Sequence, residues 1–95
     1  MSNPVVESGA YKNISASTLV RTGAGQLIGI FVASASGSPT IKVWDNTSAA
    51  TTVLVNTFTP LAGGFYPMPF NFSNGLFVTI GGTVDCTVAW NPVGS

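Results

Sequence analysis

TVDCTVAW, residues 83–90, alternates with a period of two: Val84, Cys86, Val88 and Trp90 fall on one side of an extended chain, and Asp85, Thr87 and Ala89 on the other. Successive side chains of a strand point to opposite faces, so this pattern arises when one face is buried and the other is wet or contacted. The stretch reads as a strand with a core face. GLFVTIGG, residues 75–82, precedes it. Its closing Gly81-Gly82 is the two-residue signal of a primed hairpin turn, so the last two strands are expected to pair antiparallel.

Working outward, further extended segments are read at 10–15, 17–21, 26–35, 39–45, 52–58 and 65–70. Turn chemistry separates them at Thr22-Gly23-Ala24-Gly25, Ser36-Gly37-Ser38-Pro39, Asp45-Asn46, Ala62-Gly63-Gly64 and Ser73-Asn74-Gly75. Eleven glycines and six prolines interrupt any helical run. The expected fold is all-β, an antiparallel β-sandwich of about eight short strands, jelly-roll-like, with an immunoglobulin-like sandwich or a small barrel as alternatives. Residues 1–9, with a proline and no evident pairing partner, are expected to form a flexible N-terminal arm, and residues 10–95 a single β-sandwich domain.

Ninety-five residues suffice for one core and not for two. A lone cysteine and the lack of histidine leave no intrachain disulfide and no Cys/His cage, so no metal or cofactor is expected and stability falls to packing or to partners. Only 6 % of the residues are charged and the formal net charge is zero; globular proteins average about 25 %. Few charges with no net charge promote association, so much of this surface is read as meeting protein. Lys12, Arg21 and Lys42 are too few to neutralise the phosphates that hold nucleic acid. The longest apolar stretch, LIGIFVASA at 27–35, is about half a membrane span and suits a buried strand. The opening MSNPVVESG lacks the basic and apolar regions of a secretory signal, so synthesis in a cytoplasm is expected.

Catalytic chemistry finds little to use. Without histidine there is no Ser-His or Cys-His pair. Glu7, Asp45 and Asp85 are the only carboxylates for a glycosidase pair, but Glu7 lies in the expected arm, Asp45 at a turn and Asp85 on an outer face. No enzymatic activity is expected. TGAGQLIG at 22–29 is one residue too long for a dinucleotide fingerprint and leads into a strand where a helix N-terminus is required, so it reads as a hairpin turn before a buried strand. Cys86, alternating with Val84 and Val88, reads as a small core residue.

Two aromatic stretches are weighed as contacts. In FYPMPFNF, residues 65–72, Pro67 and Pro69 confine the segment to a sheet edge or a crossing between sheets; it reads first as a crossing whose rings cover the core, with Phe65 or Tyr66 as an anchor for a partner the alternative. In IKVWDNTS, residues 41–48, Asp45 and Asn46 read as turn residues. Trp44 shares a face with Thr40 and Lys42, opposite Ile41 and Val43, so its indole faces outward if those two are core and no bulge resets the phase; an outward indole is an interface candidate. Trp44, Phe65 and Tyr66 are the candidate contact residues; a carbohydrate-binding sandwich would use Trp44 and Tyr66 as stacking platforms.

From Lys12 to Trp90, in GQLIGIFV, IKVWDNTS, FTPLAGGFYPMP and GLFVTIGGTVDCTVAW, the chain resembles small structural virion proteins of tailed bacteriophages. The resemblance implies a head cement or decoration protein, non-enzymatic and β-sandwich-like, made in the host cytoplasm and located on the capsid surface of the virion. Its implied partners are the major capsid protein and further copies of itself, with a homotrimer favoured because cement proteins often sit at local three-folds. A tail, fibre or adaptor component is the alternative within the same class.

Overall fold

The structure, a computed structural model, describes residues 10–92. The N-terminal segment 1–9, including Glu7, and residues 93–95 lie outside the described residues. Six strands follow in chain order: β1 (Ala10–Ile14), β2 (Thr18–Thr22), β3 (Gly25–Trp44), β4 (Val53–Phe58), β5 (Phe65–Phe72) and β6 (Gly75–Pro92). They form a single antiparallel sheet, and no helix forms among the described residues.

The sheet is built on one long ribbon, in which β3, 20 residues, runs antiparallel to β6, 18 residues, from Gly25 opposite Pro92 to Trp44 opposite Phe77. Two short strands flank β6: β1 pairs with its C-terminal half, Ala10 opposite Trp90 to Ile14 opposite Cys86, and β2 pairs with its start. Two flank β3 likewise, β5 along its first half and β4 along its last residues. The sheet is therefore two four-stranded tracts in series, β1-β6-β3-β5 at one end of the ribbon and β2-β6-β3-β4 at the other.

The two tracts meet where the expected hairpin fails to form. Residues 75–82 and 83–90 are one strand and do not pair with each other: Gly81 lies opposite Thr40, Thr83 opposite Ser36, and Gly82 faces the three-residue bulge Gly37-Ser38-Pro39. Gly37, Ser38 and Gly82 all have positive φ, at 65°, 58° and 72°. The positive φ that Gly-Gly offers a primed turn is here taken up in a bulge within a continuous ribbon. The same bulge fuses the expected segments 26–35 and 39–45 into β3, which is why six strands stand where about eight were read. Thr22–Gly25 is likewise a crossing and not a hairpin, because β2 pairs with β6 and β3 begins beyond it.

Packing follows the alternation. Val84, Cys86, Val88 and Trp90 are buried, and so are Leu76 and Val78 on the same face of β6. They join Leu27, Ile30, Val32, Ile41 and Val43 of β3, Ile14 of β1 and Met68 and Phe72 of β5 in one hydrophobic cluster drawn from both tracts. The register shift in β3 between Leu27 and Gly29 resets the phase, which lets Leu27 and Ile30, three apart, both point inward.

Candidate functional site

No pocket opens among the described residues, and the candidate site is the outward face of the sheet, which differs between the two tracts. On the β1-β6-β3-β5 tract, cross-strand pairing sets Tyr11, Ala89, Gly29 and Pro67 in one row and Asn13, Thr87, Phe31 and Phe65 in the next. Tyr11, Phe31 and Phe65 are 75 %, 43 % and 53 % exposed. Gly29 lets Phe65 lie across it: a Cβ there would come within 2.7 Å of the Phe65 ring and 2.6 Å of the Tyr66 carbonyl oxygen. Asp85, one outward position further along β6 than Thr87, lies opposite Ser34. Its Oδ1 accepts a hydrogen bond from Asn13 Nδ2 at 2.8 Å, and the same amide donates to the Cys86 carbonyl at 3.0 Å. We call this surface the aromatic face.

On the β2-β6-β3-β4 tract the outward row is Leu19, Phe77, Trp44 and Val53, one residue from each strand. Leu19 and Val53 are exposed, Phe77 and Trp44 half-buried. Trp44 Nε1 donates to Thr79 Oγ1 at 3.3 Å, whose hydroxyl donates to the Lys42 carbonyl at 3.2 Å. The Lys42 ammonium lies 4.4 Å from the centre of the Trp44 ring, a cation–π contact that holds the charge at the face. This surface is the indole face.

The three candidate contact residues are thus not brought together. Trp44 points outward, as its alternation with Ile41 and Val43 predicts, and belongs to the indole face. Phe65 belongs to the aromatic face. Tyr66 shares its side of the sheet with buried Ile30. Its ring packs 5.2 Å from Phe58, and its hydroxyl accepts the Leu61 N–H at 2.8 Å, closing the β4–β5 connection.

Tyr11, Phe31, Leu19, Phe77 and Val53 complete the two faces and were not singled out from the sequence. Phe31 sits in a nearly unbroken apolar run, where alternation carries no phase, and the register shift beside Gly29 decides its side. Tyr11 is assigned outward only once Ala10 and Ile14 are known to oppose the buried residues Trp90 and Cys86.

The remaining chemistry-bearing groups serve the fold. Both Asp45 oxygens accept the Ser73 N–H, at 2.9 and 3.1 Å, and Oδ1 also accepts the Asn74 N–H at 2.8 Å, which ties the β3–β4 turn to the β5–β6 turn. Cys86 is buried; burial first, and the neighbouring Asp85 charge second, push its thiol from the ordinary 9.0 up to about 11.

The four edge strands contrast with the faces, because each carries a feature that opposes addition of another strand. β5 has Pro67 and Pro69. β4 has register shifts on either side of the Val43–Val55 pair. β2 has a shift between Leu19 and Arg21, and a charge at Arg21. β1 has Lys12, which lies opposite buried Val88 and so sits on the core side of the sheet margin.

Comparison of the chain with protein-family models, with curated proteins and with solved structures finds no match to any of them.

Proposed function

We propose that the chain is a non-enzymatic structural protein of a tailed-phage virion, a cement or decoration protein that binds the major capsid protein and further copies of itself on the capsid surface. The observation that carries this reading is the pairing of blocked edges with open apolar faces: a row of uncharged side chains spans four strands on each tract, while each edge resists strand addition. Exposed aromatics of this kind anchor protein interfaces, and depletion of charge at the centre of a contact is the compositional mark of one. The resemblance of the strand and turn segments to small phage virion proteins supplies the setting.

The reading includes a folded-over, jelly-roll-like sandwich in which the inner faces of the two tracts cover each other. A straight strand of the length of β3 would reach about 65 Å, whereas the longest dimension of the chain is 46 Å. Ile41, Val43, Leu76 and Val78 of one tract and Leu27, Ile30, Val32 and Val88 of the other are fully buried within one cluster. An uncurled sheet leaves such a face open to water, so something must cover each tract, and the bulge at Gly37-Ser38-Pro39 supplies the bend.

Reconstruction of the parent particle tests the function. The expected result is density for this sheet at junctions between capsid subunits, in hundreds of copies. Density confined to the tail, or absence from the particle, overturns the proposal.

A further inference from the structure

We infer that the two faces are made for each other: the aromatic face of one copy seats on the indole face of the next, with Asp85 of the first meeting Lys42 of the second. The inference rests on the reading of the chain as a self-associating structural protein, and it names the surfaces that self-association uses.

The two faces share a plan. Each has an uncharged row crossing all four strands of its tract, Asn13–Thr87–Phe31–Phe65 beside Gly29 on one, half polar and half aromatic, and the wholly apolar Leu19–Phe77–Trp44–Val53 on the other. Each carries one charge two residues along a central strand from that row, Asp85 beside Thr87 and Lys42 beside Trp44, a spacing of about 7 Å in both cases. The signs are opposite. Each charge is also held in place before contact, Asp85 by Asn13 at 2.8 Å and Lys42 over the Trp44 ring at 4.4 Å, so little side-chain freedom remains to be lost on docking. Asp45, the other described carboxylate, is already engaged by two backbone N–H groups.

Charge decides between the ways of pairing these faces. Aromatic face on aromatic face covers each carboxylate with a surface that has no cation to meet it, and indole face on indole face does the same to each ammonium; a charge desolvated without a partner is costly. Only aromatic on indole joins opposite charges while burying both uncharged rows. Such a contact joins two different surfaces and therefore repeats from copy to copy. It closes into a ring where the faces are inclined to each other and runs on as a stack where they are parallel.

Charge reversal tests the contact in the full chain by sedimentation equilibrium at low ionic strength, with circular dichroism as the check on folding. The wild type is expected to associate. Asp85→Lys alone and Lys42→Asp alone each present like charges across the contact and are expected to weaken association by about tenfold or more. Two restorations distinguish the proposal from a general loss of surface quality: the Asp85→Lys/Lys42→Asp double variant, and an equimolar mixture of the two single variants, are each expected to recover association to within a few-fold of wild type. Single variants that associate like wild type, or a double variant and mixture that stay dissociated, overturn it. A wild type that remains monomeric at high micromolar concentration also overturns it, while leaving the capsid-binding reading to be decided by the particle reconstruction.

Discussion

At Asp45 the chain places one of its three carboxylates against backbone N–H groups some thirty residues away, Ser73 and Asn74. Hydrogen bonds to an ionised acceptor are the stronger kind, and here they connect two turns at the same end of the sheet. Asp45→Ala is expected to lower unfolding stability by about 1–2 kcal/mol, with Asp45→Asn recovering part of it through its remaining carbonyl oxygen; urea denaturation checks both. If Asp45→Ala unfolds at the wild-type urea midpoint, the tether contributes nothing. Cys86 makes the stability of the fold depend on pH. Its thiol is held protonated by burial, to about 11 from the ordinary 9.0, so the folded state keeps a proton that the unfolded chain releases. The associated stability is complete below pH 9 and is lost as pH rises through 11. Against Cys86→Val, which has nothing to titrate, the wild type is expected to lose stability between those limits. A difference between the two chains that stays flat across that range would show that the thiol is not the cause.

Among the elements, the bulge in the β3–β6 ribbon is where local sequence was insufficient. Alternation in 83–90 reported its faces correctly, with Val84, Cys86, Val88 and Trp90 buried and Asp85 exposed, because period two is a property of the strand itself. Gly81-Gly82 reported only that a positive φ was wanted. Whether that φ reverses the chain or is taken up in a bulge depends on Ser36–Thr40, more than forty residues earlier, and no local signal carries that. For the same reason Trp44 was legible, bracketed by Ile41 and Val43, whereas the aromatic face was not: it is assembled from four strands whose registers are fixed by pairing. Crowding at the bulge can be tested by substitution. A Cβ on Gly82 would lie 2.5 Å from the Gly37 carbonyl oxygen and 2.8 Å from that of Ser38, at φ 72°. Gly63, at φ 82°, has open space around it. Gly63→Ala should therefore carry only the backbone penalty, about 1 kcal/mol, and Gly82→Ala that penalty plus a main-chain displacement, about 3 kcal/mol or more. Thermal melts showing equal losses would mean that the bulge around Gly82 is not crowded.

At the scale of the whole molecule, two tendencies to associate are separated. A sheet with 45 % hydrophobic residues and so few charges can aggregate through its edges or dock through its faces, and only the second is selective. The separation is achieved with few resources, because two of the three basic residues, Lys12 and Arg21, lie on edge strands, while the third, Lys42, sits on a face. Lys12 is the most exposed point of this arrangement. β1 pairs with β6 in unbroken register and contains no proline, so the ammonium on its core side is the feature that opposes an incoming strand. A strand added beside β1 would bring that charge against the apolar margin of its own copy, or against Lys12 of another. Lys12→Thr keeps the strand propensity and removes the charge. The altered chain is expected to form β1-to-β1 assemblies, seen as large species in sedimentation and as slowed hydrogen exchange at Ala10–Ile14. Those assemblies should persist when Lys42→Asp is added, because Lys42 lies on the tract away from β1, whereas Asp85 itself holds Asn13 of β1. If Lys12→Thr remains as dispersed as wild type, the edge is guarded by something other than its charge.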